Sequence, residues 1–133
     1  MIFADASALI AIVADEPEAA GLADIIEAER LRLCSAICVW QTVAGLCCRY
    51  TFSVPAARTH VGRFLSVGKF QFVGIGEREY DIAADAYAQY GVGRHPAALN
   101  MGDCYAYACA RANRAKLLFT GNSFTKTDIS VAG

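Results

Sequence analysis

A chain of 133 residues, 56% hydrophobic and 19% charged, is long enough for one domain with its own core and too apolar to be disordered. Its net charge of −1 excludes a general basic surface for nucleic acid, so any phosphate contact must be local. The uncharged run from Cys34 to Cys48 holds Gln41 and falls short of the roughly 20 apolar residues of a membrane span, which argues against a membrane partner.

In chain order, Ile2-Phe3-Ala4 reads as a short strand ending at Asp5, with a helix following over Ala6–Val13. No basic segment precedes this apolar start and Asp5 interrupts it, so no signal peptide is expected and the protein is expected in the cytoplasm. A strand, an acid at its C-terminal end and then a helix is how open parallel sheets place ligand sites. Asp5 also serves as an N-cap, and Ser7 is either a ligand-orienting hydroxyl or a cap helper. Pro17 is expected at the first position of a second helix running to about Arg30. Leu31–Cys34 reads as a second strand, and Ser35 caps a third helix, Ala36 to about Tyr50. Trp40, Val43 and Cys47 are expected to form its core stripe. Gln41 lies among apolar and small neighbours, so its amide needs a partner wherever it is buried.

Pro55 opens a fourth helix (Ala56–Val67), Phe70–Val73 is a short strand or extended link, and Glu77–Tyr90 is a fifth helix. The loop Gly91–Ala97 follows, with Arg94 and His95 as a local cationic patch and Arg94 as a candidate phosphate contact. Cys104–Ala110 is a run of uncharged residues that reads as a helix buried on most faces. Asp103 stands in its first turn, where the helix dipole favours a carboxylate. A capping role and a ligand role are both open for it from this stretch alone. Leu117-Leu118-Phe119 is a further strand, Gly121-Asn122-Ser123 a tight turn, Phe124–Asp128 a loop, and Ile129–Val131 a candidate edge strand. The six cysteines match no common zinc spacing and read as small, reduced core residues.

Strands alternating with helices imply an α/β domain with a central parallel sheet covered on both sides. All strand C-termini then share one edge, which gathers Asp5, Asp103, Asn122 and Gln41. Two carboxylates about 4 Å apart repel by about 4 kcal/mol at an effective dielectric near 20. A hard divalent cation removes that penalty, and oxygen-only donors favour magnesium or manganese.

The stretches Asp5-Ala6-Ser7-Ala8-Leu9, Ser35-Ala36 leading to position 41, Arg94 to Cys104, and Leu117 to Phe124 with Thr127-Asp128-Ile129 together resemble the PIN-domain toxins of the VapC type. The span from Arg94 to Cys104 is the most specific part, and the likeness covers nearly the whole chain. It implies a single three-layer α/β/α PIN-like domain over residues 1–133. It further implies a magnesium-dependent endoribonuclease cleaving RNA, commonly structured RNA such as tRNA, held inactive by a small VapB-type antitoxin and usually dimeric. Asp5 and Asp103 match the first and third acids of that family and are the expected metal ligands. The second acid, usually Glu, aligns with Gln41, and the position often held by a fourth acid is Asn122. Asp128 matches a Thr-Asp pair and is expected, with Arg94 and Ser7, to help at the substrate rim.

Gln41 is the consequential departure, because an amide oxygen still coordinates while one negative charge is gone. Changes even outside the immediate ligands cost about 10–100-fold in affinity or activity, so a weakened or dead nuclease is expected. The alternative is a catalytically silent module that acts by binding an antitoxin or another partner, with the apolar helices from Ala6 to Ile26 as its contact face. A phosphoryl-accepting receiver-like domain is set aside. It needs a second acid beside the first Asp and a Lys past a late strand, where this chain has Ala4 and Thr120.

Overall fold

The strand and helix signals resolve into four strands and six helices in a computed structural model that describes residues 1–133. β1 (Ile2–Ala4) leads into α1 (Ala6–Val13) and α2 (Ala19–Ala28), and β2 (Arg32–Cys34) into α3 (Ala36–Arg49) and α4 (Val54–Val67). β3 (Gln71–Phe72) precedes α5 (Glu77–Tyr90) and α6 (Met101–Ala112), and β4 (Lys116–Leu118) closes the sheet. The strand order is β3-β2-β1-β4 with every pair parallel. Parallel neighbours need crossovers, which the helices supply.

Period-two alternation splits the strand side chains between two layers. Phe3, Leu33 and Leu117 enter a core with Ala83 and Tyr90 of α5 and Cys104 and Ala108 of α6. Ala4 and Cys34 face the other way, onto Leu9, Leu46 and Val61 of α1, α3 and α4. Ile2 and Leu118 join that side against Ala8, Leu22 and Ile26 of α1 and α2. The result is the α/β/α sandwich that the sequence predicts, with β1 central and its three residues fully buried. Helix starts follow side-chain caps: Asp5, Ser35, Ser53 and Asn100 each accept a first-turn backbone N–H.

Four expectations change. Asp15 takes a left-handed φ of 54° and Glu16 N–H closes back on Ala11 O at 2.8 Å, so Pro17 is used in the turn and α2 starts at Ala19. Trp40 is 70% exposed, and α3 instead buries Cys38, Thr42 and Leu46. Val43 and Cys47 pack at the margin of that core. Phe124–Lys126 forms a 3-10 turn rather than a loop, because Phe124 is buried against Phe119 with ring centroids 5.1 Å apart. Val131 makes a single parallel bridge to Leu117 instead of extending a strand. Most of α1 is core, which leaves the apolar groove of about 760 Å³ between α3 and α4 as the larger open apolar feature. Cys34, Cys38, Cys104 and Cys109 are buried thiols. No helix is long and apolar enough to cross a membrane.

Candidate active site

Asp5 ends β1 and caps α1, and its position is fixed from three directions. Its N–H donates to Leu118 O of β4 at 2.9 Å. Its Oδ2 accepts the Ser7 N–H at 3.0 Å and the Ser7 hydroxyl at 2.7 Å. Ser7 Oγ in turn accepts the Thr120 N–H at 3.0 Å, tying the chain beyond β4 to the same carboxylate. Ser7 therefore holds Asp5; its hydroxyl is engaged inside the protein rather than free at the substrate rim. Asp5 is only 5% exposed. Burial pushes its pKa up to about 6, Ser7 works against the rise, and the negative charge of Asp103 adds to it. The charge of Asp5 in turn reaches Cys38, whose thiol is pushed up first by burial and then by Asp5.

Asp103 lies at the third residue of α6 and is half-buried. Its Oδ2 accepts the Asn100 N–H at 3.1 Å, while the Asn100 side chain accepts the Asp103 N–H at 2.9 Å. This is a reciprocal capping box. Asn100 is thus the true cap, and the Asn-x-x-Asp spacing carried that signal in the sequence. The reciprocal bonds aim the Asp103 carboxylate at the start of the helix, where the dipole suits it. Burial raises its pKa, with the Asn100 N–H opposing.

Gln41 reaches this place from α3. A Cβ placed on Gly102 would overlap the Gln41 carboxamide, meeting Nε2, Cδ and Oε1, so the amide lies directly on the first turn of α6 beside Asp103. Gly102 is the residue that sequence reasoning missed; a glycine inside a first helical turn is the available hint of a close approach. Gln41 thus packs on the residue before Asp103, and the Asp103 charge is felt at Asp5. Asn122 follows Thr120 on the loop anchored to Ser7; it is exposed, and its carbonyl takes the Thr125 hydroxyl at 2.7 Å.

Two other predicted residues sit apart. Arg94 is exposed with its guanidinium 5.1 Å over the Tyr87 ring of α5, in the loop that leads to Asn100. Asp128 accepts the Tyr107 hydroxyl at 2.6 Å and pairs with Arg111 at 3.0 Å. Those partners lie one and two turns beyond Asp103, about 6 and 12 Å along the helix axis. Its pKa is lowered, chiefly by the Tyr107 hydroxyl and then by Arg111.

The donor set fits a hard divalent ion. Two carboxylates and an amide oxygen are all oxygen donors, and a cation would relieve the desolvation and repulsion that raise the Asp5 pKa. Nowhere do three or more His, Cys, Asp or Glu side chains cluster as a metal site. The centre is a pair of acids with a neutral third member.

Comparison with known proteins agrees with this fold. The family model described as PIN domain matches residues 2–129. The Mycobacterium tuberculosis protein named ribonuclease VapC30 is 36% identical over 126 residues, covering 95% of this chain and 94% of that one. Among solved structures, M. tuberculosis VapC20, titled a sarcin-ricin loop cleaving toxin, superposes with a TM-score of 0.76 at 14% identity, covering 97% of this chain and 96% of that one. A toxin–antitoxin complex from Klebsiella pneumoniae gives 0.71 at 14% identity, covering 99% and 97%. At such identities the structures share the fold.

Proposed function

We infer the function from the premise that this chain belongs to the PIN-domain family, among the VapC ribonucleases, and propose a magnesium- or manganese-dependent endoribonuclease toxin weakened by Gln41. The observation that carries this reading is that the Asp103 charge is felt at Asp5, with the Gln41 amide laid on Gly102, the residue before Asp103.

In this reading Asp5 and Asp103 hold the divalent ion and Gln41 offers its amide oxygen. When bound, the ion supplies activation of water and neutralisation of charge developing on the phosphodiester. The chain's own residues set the stage for that chemistry. Ser7 locks the Asp5 carboxylate through two hydrogen bonds, and Asn100 locks Asp103, so neither acid loses rotamer freedom when a ligand arrives. Asn122 offers an amide from the anchored loop to a phosphate oxygen. Arg94, kept in place by Tyr87, contacts a neighbouring phosphate, while Asp128, engaged with Tyr107 and Arg111 further along α6, is left out of the rim. The substrate class is RNA, with structured RNA such as tRNA as the first to test.

A VapB-type antitoxin is the proposed partner, in keeping with the toxin–antitoxin complexes that share the fold. Its proposed seat is the groove between α3 and α4, where Trp40, Val54 and Phe72 are exposed beside Arg58. A cytoplasmic homodimer completes the reading.

The test combines RNA cleavage in magnesium with calorimetric titration of the ion. Restoring the third acid by Gln41→Glu should raise cleavage at least about tenfold and tighten the ion by a similar factor; no gain in either would refute the weakening. A second reading, a silent module that works only by binding its partner, is favoured by the absence of a third acid. Failure of the natural chain to take up magnesium near millimolar concentration would decide for it.

A further inference from the structure

The end of α6 remote from Asp103 carries a separate polar cavity of about 450 Å³, lined by Arg111, Arg114, Lys116, Asp128 and Ser130 among others. We propose that this cavity is a second phosphate-binding site, at the edge of the sheet opposite the candidate active site. It deepens the ribonuclease reading and rests on it for RNA as the source of the phosphates.

Arg111 is already ordered. Its guanidinium donates to the Tyr107 hydroxyl at 2.8 Å, pairs with Asp128 at 3.0 Å and lies 5.1 Å over the Tyr107 ring. A ligand therefore need not immobilise it, which removes part of the usual cost of binding. The pairing also neutralises Asp128, the one acid in the cavity. Arg114 and Lys116 have no carboxylate partner, since the salt bridges of the molecule use the Met1 amine, Arg49, Arg78 and Arg111. The cavity is left with two uncompensated cations, the condition for anion capture.

The cavity is also the end of a row. Strand register sets Arg32 and Lys116 on either side of Ile2, Arg30 precedes β2, and Lys69 precedes β3. With Arg111 and Arg114, this edge carries half of the twelve Lys and Arg residues in a chain of net charge −1. Arg32 donates two of its five N–H groups to the carbonyls of Glu29 and Gly68 and adds its charge to the row. Adjacent strands lie about 4.8 Å apart, so the row is extended, and an extended row of cations matches a chain of phosphates better than one compact anion. In a protein without a general basic surface, this is where a polyanion has electrostatic reason to settle.

Fluorescence anisotropy of labelled single-stranded RNA, with a chelator present so that no strand is cut, tests the proposal. The double variant Arg114→Gln/Lys116→Gln should bind about tenfold more weakly. The slope of log affinity against log salt should fall by about 1 to 2, as expected for two lost phosphate contacts. The variant Arg49→Gln/Arg63→Gln makes the same charge change on α3 and α4 and should shift affinity less than about twofold. Unchanged affinity and slope in the first variant, or equal loss in both, would overturn the site. Inorganic phosphate separates the sources. Competition no better than chloride assigns the site to the RNA backbone, and competition at far lower concentration, lost in the first variant, assigns it to free phosphate. Because binding is read with cleavage blocked, it stands apart from the ribonuclease reading, whose failure registers in the separate assay with magnesium, as RNA that binds and is not cut there.

Discussion

At Asp5 the environment decides the chemistry. The folded pKa of about 6 lies above the ordinary 3.8, so the folded state binds the proton more tightly than the unfolded chain. The contribution of Asp5 to stability is therefore present below about pH 4, falls as pH rises towards 6 and stays lost above it. Asp5→Asn keeps the acceptor for Ser7 and removes the charge. It should abolish cleavage while stabilising the ion-free protein near pH 8 by about 1–3 kcal/mol. Thermal denaturation near pH 8 and near pH 4 checks this, and a gap between variant and natural chain that does not close at the lower pH would count against it. Gly102 gives a second prediction. Gly102→Ala puts a methyl group into the Gln41 amide and should cost about 1–3 kcal/mol. Adding Gln41→Ala should return much of that loss, a coupling readable as a double-mutant cycle in urea.

Among the elements, α6 does most to assemble the site, and its capping box makes it testable. Asn100→Ala should lower stability by about 1 kcal/mol and free the Asp103 carboxylate from its fixed aim. Urea denaturation with magnesium titration checks both effects: a stability loss with unchanged ion affinity would limit Asn100 to the helix. The element boundaries were legible because caps are local: Asp5 and Ser35 precede their helices as the sequence predicts. The phase of α3 was not. Hydrophobicity favours a stripe through Trp40, whereas the helix turns Cys38, Thr42 and Leu46 inward. Thr42 hid there because its hydroxyl donates to Cys38 O at 2.7 Å, which lets a polar residue be buried without penalty. Asp5 and Asp103 were readable from strand ends and helix starts. The packing of Gln41 on Gly102 and the commitment of Asp128 to Tyr107 and Arg111 depend on tertiary contacts that no local spacing records.

Over the whole molecule, the candidate site and the basic cavity lie at opposite edges of the sheet. The acids of the candidate site sit past the C-terminal ends of the strands, and Arg114 and Lys116, which have no carboxylate partner, lie towards their starts. A long RNA held at the basic edge can still reach round the domain, so removing that contact should impair cleavage of long RNA more than of short fragments. Comparing the two substrates with Arg114→Gln/Lys116→Gln would show it, equal loss on both being the contrary result. The α3–α4 groove offers a built-in reporter, because Trp40 is the single tryptophan and is 70% exposed. Docking of a VapB-type antitoxin there should shift its fluorescence to shorter wavelength as the indole leaves water, and tight binding without a shift would move the antitoxin elsewhere.

The glycine under Gln41 has one more consequence. The space left by the missing Cβ at Gly102 is where the Gln41 amide lies, and the nearly isosteric glutamate should fit there without moving either helix. On the proposed reading the chain stays one exchange from a full set of acids, and what opposes that exchange is like-charge crowding that a bound cation would relieve.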